Sequence, residues 1–296
     1  MQQIRKLAIA LIISLLSTSA LADPLKVVAS IKPVQALLFA VMGEDAQVDV
    51  LLPPNTSPHT FALKPSQAEM LQKADVVFWI GPELETSLQA PLKSLSSKAR
   101  IIELLRSPDL KLLHTNGAVD PHVWVSPENV KVLVNAIRDD LSKLDPDNAK
   151  LYAKNAKRTQ KRMKLLIRKA TQMFAPTKDK PYIVQHDGLA YLAQDFGLNQ
   201  AGYLQTMPGR EPGAKHLSAL RATIKDKNVR CLFVEPQFTS SLAQSLKKDF
   251  TLKIAEVDLM GTDLDVSPTL PLRIIQVIIL HMDRCQYVKP KTETVQ

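Results

Sequence analysis

The chain has 296 residues, of which 45% are hydrophobic and 23% are charged. This composition excludes a disordered, collagen-like or coiled-coil protein, and the length is typical of two domains. The formal net charge is +9, but much of it lies between residues 150 and 180, without the signature of a nucleic-acid-binding fold. We interpret that stretch as the solvated face of a helix and expect no nucleic-acid partner.

The first 22 residues have the three parts of a secretory signal peptide. Arg5 and Lys6 form a basic start, residues 7–16 are almost purely apolar, and an A-L-A sequence ends at Ala22. The apolar run is too short to be a stable membrane anchor. No Cys is present at the cleavage site for attachment of a lipid. We therefore expect a soluble mature chain in a periplasm-like compartment.

Short apolar strands alternate with helices in the first half of the mature chain. Strands are predicted at Lys26–Ser30, Gln47–Leu52, Asp75–Ile80 and Arg100–Leu104, and helices at Lys32–Met42 and Pro65–Lys73. The segment Arg106–Trp124 is predicted to be a loop. Ser126 as N-cap and Pro127 at the first helical position then predict a helix that runs to about Lys143.

The longest helical pattern begins at Asp145 and runs to about Phe174, where Pro176 ends it. Its length of about 28 residues corresponds to about 42 Å of α-helix. The pattern is polar over most of its circumference, with apolar contacts predicted at Leu151, Met163, Leu166 and Ile167. Such a helix suits a solvent-exposed bridge between two lobes.

The alternation resumes after this helix. Strands are predicted at Tyr182–Gln185, Ala201–Thr206, Arg230–Val234 and Leu252–Val257, before a last helix at Pro271–Cys285. The pattern predicts an α/β protein with two lobes, each a mostly parallel sheet flanked by helices. The predicted divisions are a signal peptide at 1–22, an N-terminal α/β lobe at 23–144, a linking helix at 145–175 and a C-terminal α/β lobe at 176–290.

The sequence has two cysteines, Cys231 and Cys285. An even number of cysteines in an exported chain predicts a disulfide. The alternative is a pair of buried free thiols. A disulfide would remove both sulfurs from the candidate metal ligands.

Several metal-binding side chains follow predicted strands, where α/β sheets bind their ligands. His59 and His122 lie in loops after strands of the first half. His186, Asp258 and Glu235 directly follow strands of the second half. Three imidazoles and one carboxylate form a good zinc environment, and nitrogen-rich sites favour zinc, copper or nickel. No local motif fixes these histidines, and a single histidine in a loop is more often an ordinary surface or core residue than a metal ligand.

Three common enzyme motifs are absent from the sequence. It contains no G-x-S-x-G nucleophile elbow, no H-E-x-x-H helix and no Walker-type phosphate loop. We therefore expect a protein that is not an enzyme. The alternative, an exported zinc-dependent hydrolase, would require an open zinc position, a general base and a substrate pocket.

Five stretches are distinctive when taken together: Ser57–Phe61 with Leu63–Ser66, Ala74–Glu85, Asp120–Pro127, Gln185–Gly188 and Glu235–Phe238. In these stretches, and from about Leu25 to Cys285, the chain resembles the metal-binding solute receptors of bacterial ABC importers, and within them the zinc receptors of the ZnuA type. The resemblance implies two α/β lobes joined by one long rigid helix, with a single metal ion between the lobes.

Carried over to this sequence, the ligands implied by the resemblance are His59, His122 and His186. Asp258 or a water molecule takes the fourth position. Manganese and iron receptors of the family have a carboxylate at the third position, so His186 favours zinc, and a manganese or iron receptor is the alternative. Ligand histidines usually donate their other N–H to a carboxylate or carbonyl, and Asp187, Glu235 and Asp258 are candidates for that contact.

The resemblance further implies that the protein captures zinc in the periplasm and delivers it to the membrane permease of an ABC transporter. It also implies the Cys231–Cys285 disulfide, and we expect a monomer. An adhesin-like interaction protein is a remaining alternative. The segment before His122 is short and contains only His114, whereas many zinc receptors carry a long His-rich loop there.

Overall fold

The structure is a computed structural model that describes residues 24–53, 55–96, 98–115, 117–205, 212–238 and 241–287. The predicted signal peptide and residues 288–296 lie outside these ranges. Among the described residues, no helix combines the length and the apolar character needed to cross a membrane.

The first half forms a four-stranded parallel sheet. Its strands are β1 (Val27–Ala29), β2 (Val48–Val50), β3 (Val76–Trp79) and β4 (Arg100–Glu103), in the order β2-β1-β3-β4. The flanking helices are α1 (Lys32–Met42), α2 (Pro65–Lys73), α3 (Gln89–Leu95) and α4 (Pro127–Leu144). All four side chains of β3 are buried because helices cover both faces of a parallel sheet. Helix α4 begins as predicted, with the Ser126 hydroxyl accepting a hydrogen bond from the Asn129 backbone.

A short antiparallel hairpin interrupts the segment predicted to be a loop. It consists of β5 (His114–Thr115) and β6 (Ala118–Val119). Gly117 in its turn has a φ of 83°, which glycine adopts at little cost. Two-residue strands have too little periodicity to be recognised in a sequence.

One long helix, α5 (Ala149–Phe174, 26 residues), follows a short 3₁₀ turn at Pro146–Asn148. It packs against α1 and α4. Its buried face consists of Tyr152, Asn155, Ala156, Thr159, Met163, Leu166, Ala170 and Phe174. The predicted contact of Leu151 is wrong: Leu151 lies one position away from this face and is 42% exposed.

Polar side chains help to fix α5 against α1. The Asn155 amide donates to the carbonyl oxygen of Val41 (3.0 Å), and the Thr159 hydroxyl donates to that of Ala40 (3.3 Å). These bonds satisfy carbonyl groups at the end of α1 that have no partner within their own helix. The helix is therefore a packed component of the fold and is solvent-exposed on one side only.

The second half forms another four-stranded parallel sheet. Its strands are β7 (Tyr182–His186), β8 (Gln200–Gln205), β9 (Cys231–Val234) and β10 (Lys253–Glu256), in the order β10-β9-β7-β8. Its helices are α6 (Ala190–Phe196), α7 (Ala214–Asp226), α8 (Ser241–Phe250) and α9 (Leu270–Gln286). The predicted fold class, with two parallel sheets flanked by helices and one long linking helix, is confirmed.

One apolar cluster spans both halves, and a second, separate cluster lies within the second half. A single cluster of buried side chains includes Val28 of the first sheet and Val184 of the second, and α9 packs against both α1 and α5. Cys231 at the start of β9 and Cys285 in α9 form a disulfide, with their Cα atoms 6.1 Å apart. The predicted disulfide is thus confirmed.

Candidate metal centre

Three histidines from separate loops and strands converge between the two sheets. His59 lies in the connection between β2 and α2, His122 follows the β5–β6 hairpin, and His186 ends β7. The Nε2 atom of His122 is 3.3 Å from Nε2 of His59 and 3.1 Å from Nε2 of His186. The ligand atoms of all three lie within 4.8 Å of one another. Three nitrogens arranged in this way can occupy three corners of a tetrahedral metal site.

The three imidazoles differ in their exposure. His122 is 5% exposed and His186 is 4% exposed, whereas His59 is half-buried. Trp124 packs against the ring of His122, and Phe238 packs against the ring of His186. On this side only about 10 Å³ of free space adjoins the rings. The cluster therefore has a tightly packed, largely apolar wall behind it.

Carboxylates orient two of the rings. The Nδ1 atom of His122 is 2.7 Å from Asp120 Oδ1, which also accepts a hydrogen bond from the His122 backbone (2.9 Å). Nδ1 of His186 is bonded to the Glu235 carboxylate. With Nδ1 occupied, each ring presents Nε2 to the common point. This is the carboxylate–histidine arrangement usual at zinc sites.

The protein environment shifts the pKa of two of these rings in opposite directions. Burial, reinforced by the neighbouring imidazoles, lowers the pKa of His59 to about 2. Burial also lowers the pKa of His186, but the Glu235 carboxylate outweighs burial and leaves this pKa above its ordinary value. Protons therefore compete with a metal ion more strongly at His186 than at His59.

Asp258, the predicted fourth ligand, makes its hydrogen bonds away from the three imidazoles. Both carboxylate oxygens of Asp258 are hydrogen-bonded within the protein, to the Gln237 side chain (2.9 Å) and to the backbone of Met260 (2.9 Å) and Thr262. Asp258 lies outside the group of three ligand atoms. It organises the turn that follows β10.

Of the three carboxylates predicted to orient a histidine, Glu235 does so. Asp187 is bonded instead to the Gln200 amide (2.6 Å) and the Thr115 hydroxyl (3.5 Å). The bond to Thr115 joins the second half of the chain to the hairpin.

Sequence reasoning missed two residues of the centre. Asp120 orients His122, and the D-P-H sequence was a usable signal because Asp side chains often bond to the backbone two residues later. The second is Gly188. A Cβ atom placed there would lie 2.7 Å from Cε1 of His186 and 2.6 Å from a methyl group of Leu259. Only glycine leaves room for the observed position of the His186 ring.

Contacts between the two halves surround the centre. The Tyr191 hydroxyl accepts from the Leu113 backbone (3.0 Å) and donates to the carbonyl oxygen of Asp120 (2.7 Å), so it joins both ends of the hairpin segment. The Trp124 indole donates to the carbonyl oxygen of Leu259 (2.9 Å). These bonds hold the half that carries His59 and His122 against the half that carries His186.

Comparison with known proteins agrees with this geometry. The family described as "Zinc-uptake complex component A periplasmic" (ZnuA) matches residues 27–270. The high-affinity zinc uptake system protein ZnuA of Brucella abortus is 29% identical, with 88% of this chain and 91% of that protein covered. A crystal structure of a zinc-bound ZnuA deletion mutant has a TM-score of 0.79 and 26% identity, covering 90% of this chain and 100% of that one.

The similarity extends to receptors described with a different metal. The solute-binding protein FpvC of Pseudomonas aeruginosa, in complex with Mn²⁺, has a TM-score of 0.79 and 25% identity, covering 89% of this chain and 98% of that one. The family match nevertheless spans most of the chain and includes all three clustered histidines. The chain therefore belongs to the ZnuA family of periplasmic zinc-uptake components.

Proposed function

We propose that the protein binds one zinc ion at His59, His122 and His186 and delivers it to the membrane permease of an ABC importer. The observation that carries this proposal is the convergence of three imidazole Nε2 atoms between the two sheets. Zinc is the transported substrate here. The naming of relatives as high-affinity zinc uptake proteins supports the same assignment.

The donor set favours zinc over manganese. All three clustered donors are imidazole nitrogens, whereas manganese prefers sites rich in carboxylate and water oxygens. For the fourth position we propose a solvent molecule, because the oxygens of Asp258 are already engaged by Gln237 and the backbone. The bound ion has to remain exchangeable, and a solvent ligand is easily replaced by a group of the permease.

The protein functions as a receptor, and we propose no catalytic step. Residues 1–22 direct export and are removed, and the mature chain acts as a monomer in the periplasm. It is divided into lobes at 23–144 and 176–290, with the linking helix at 145–175. Nδ1 of both His122 and His186 is held by a carboxylate, which orients these rings before zinc arrives.

The test is a metal competition on the mature protein. We expect the stripped protein, offered equimolar zinc, manganese and ferrous iron at pH 7, to retain one equivalent of zinc. His186→Ala should abolish this binding. His281→Ala is the matched control, because it removes an imidazole of α9 that lies outside the cluster. Retention of manganese instead would identify a manganese receptor, and retention of no metal would reject the site.

A further inference from the structure

The two sides of the histidine cluster differ in their free space. Behind the rings, the packed wall leaves about 10 Å³. On the other side, a cavity of about 330 Å³ reaches from the three imidazoles to the exposed residue Ala118. We call this cavity the vestibule. Its lining also includes Glu83, Thr115, Asp120, Asp187 and Tyr203. Within the described part of the chain, this side offers an ion far more room than the other.

The charged side chains that line the vestibule are carboxylates. They belong to Glu83, Asp120 and Asp187, and no Lys or Arg occurs among its described lining residues. Asp187 is bonded to neutral donors of Gln200 and Thr115, so its negative charge is not compensated by those contacts.

Glu83 is held at the vestibule by one of its two oxygens. Its Oε1 accepts a hydrogen bond from Arg106 (2.7 Å), while the buried Oε2 has no hydrogen-bond partner among the described residues. The Nε atom of Arg106 is also 3.0 Å from Oε1 of Glu103, so one guanidinium forms ion pairs with two carboxylates. The group therefore retains net negative charge beside the vestibule.

The charge of the whole chain has the opposite sign. Without Arg5 and Lys6 of the predicted signal peptide, the mature chain has 36 basic and 29 acidic residues and a formal net charge of +7. Helix α5 alone contains nine Lys and Arg residues and no Asp or Glu. Outside α5, the mature chain therefore has a small excess of acidic residues. No residue of α5 occurs in the described lining of the vestibule. A divalent cation that approaches the protein thus meets a repulsive overall charge and an attractive local one.

We propose that the vestibule is the route by which zinc reaches the three imidazoles, and that Glu83 accelerates zinc association by offsetting the positive charge of the chain. This inference rests on the proposed zinc-binding function. Negatively charged clefts raise the local concentration of a cation and its association rate, and salt reduces the effect. Glu83 acts on the rate of entry and does not coordinate the bound ion.

The experiment measures zinc association and dissociation separately by stopped-flow competition with a fluorescent chelator. At low ionic strength, Glu83→Gln should lower the association rate constant about threefold or more, with the dissociation rate unchanged. The difference should shrink in concentrated salt. Arg106→Gln should raise the association rate, because it exposes the charge of Glu83. Glu69→Gln is the matched control, since it removes the same charge from an exposed ion pair with Lys73 and should leave the association rate unchanged.

Electrostatic steering predicts that Glu83→Gln lowers the association rate constant and that Arg106→Gln raises it. A purely structural role of the ion pair predicts the same direction for both variants. If both variants slow association, or if Glu83→Gln acts only on dissociation, the ion pair merely supports the fold and the inference is overturned. Equal association rates in all variants, with one zinc bound in each, also reject the inference but leave the proposed function intact. Absence of zinc binding in the unmodified protein would reject the proposed function itself.

Discussion

At the scale of single residues, the centre depends on how each imidazole is held. His122 and His186 are each bonded through Nδ1 to a carboxylate, so their Nε2 atoms are directed at a common point before metal arrives. The residue that makes room for this arrangement has no side chain. Gly188 adjoins the His186 ring so closely that any Cβ atom would displace it.

Replacing Gly188 should therefore weaken zinc binding without unfolding the chain. We expect Gly188→Ala to raise the zinc dissociation constant at least about tenfold, because His186 would leave its position and small displacements at a metal site are costly. Gly213→Ala is the control, since a Cβ atom at Gly213 has no neighbour within 4 Å. Equal zinc affinity in both variants, measured by competition titration, would contradict the assignment.

The pKa of His59 links the centre to acid stability. Folding lowers this pKa from 6.5 to about 2, so below about pH 6.5 the unfolded chain takes up a proton that the folded chain excludes. The stabilisation is present above pH 6.5 and is lost as the pH falls towards 2. The raised pKa of His186 has the opposite effect, because its stabilisation is present at low pH and is lost as the pH rises.

We expect metal-free His59→Gln to lose less stability than the unmodified protein between pH 7 and pH 5. The comparison isolates His59, since every other titrating group is common to both proteins. Urea unfolding at the two pH values measures the difference. Identical losses in the two proteins would show that His59 is not excluded from protonation in the fold.

At the residue scale, the sequence predicted that His59, His122 and His186 lie at or after strand ends, and the structure brings them together. That they bind zinc stays a prediction. Asp258 satisfied the same criterion, but hydrogen bonds from backbone N–H groups of its own turn hold its carboxylate. The geometry of a turn is not visible in residue spacing, and neither is the close approach that requires Gly188.

At the scale of secondary-structure elements, the β5–β6 hairpin connects the two halves of the chain. Tyr191 lies in the first turn of α6, and its hydroxyl bonds to the backbone on both sides of this hairpin. One of these contacts is the carbonyl oxygen of Asp120, the residue that orients His122. Tyr191 is therefore a positioning residue that acts on the centre through the hairpin.

Removal of this hydroxyl should affect zinc as well as stability. Each lost hydrogen bond costs about 1 kcal/mol, and we expect Tyr191→Phe to accelerate zinc dissociation about fivefold, because His122 becomes less firmly held. Tyr152→Phe is matched to it, since the Tyr152 hydroxyl bonds to Asp145 at the start of the linking helix segment.

Dissociation into excess chelator gives the rate for each variant, and thermal unfolding gives its stability. A purely structural role for Tyr191 predicts that both variants lose stability and that neither changes the rate of zinc release.

Most elements were predictable from the sequence because their signals are local. Apolar runs bounded by turn residues predicted the eight strands of the two sheets, and the Ser126 cap predicted the start of α4. The hairpin was missed because two-residue strands have no period. The face of α5 was misjudged because Asn155 and Thr159 are buried through hydrogen bonds to α1, which a search for apolar residues overlooks.

At the scale of the whole molecule, the linking helix restricts how far the lobes can move. It packs along α1 and α4 of the first half and also contacts α6 and α9 of the second. The core is continuous between the halves. Wide hinge opening would expose part of this core at a cost of about 25 cal/mol per Å² of apolar surface.

We therefore expect the metal-free and zinc-loaded proteins to differ by small tilts of the lobes. Their radii of gyration, measured by small-angle X-ray scattering, should agree within error. Crystal structures of the two states should superpose without a large rotation about α5. A wide hinge rotation between the two states would contradict this role of the helix.

The packed wall of Trp124 and Phe238 has a consequence for the direction of transport. Because the packed wall leaves only about 10 Å³ on its side of the rings, a zinc ion cannot enter on one side of the cluster and leave on the other. If zinc enters through the vestibule, it leaves through the vestibule as well. The permease then has to cover the rim that first admitted the ion, so a loaded receptor docked on its permease is sealed against the solvent from which it was filled.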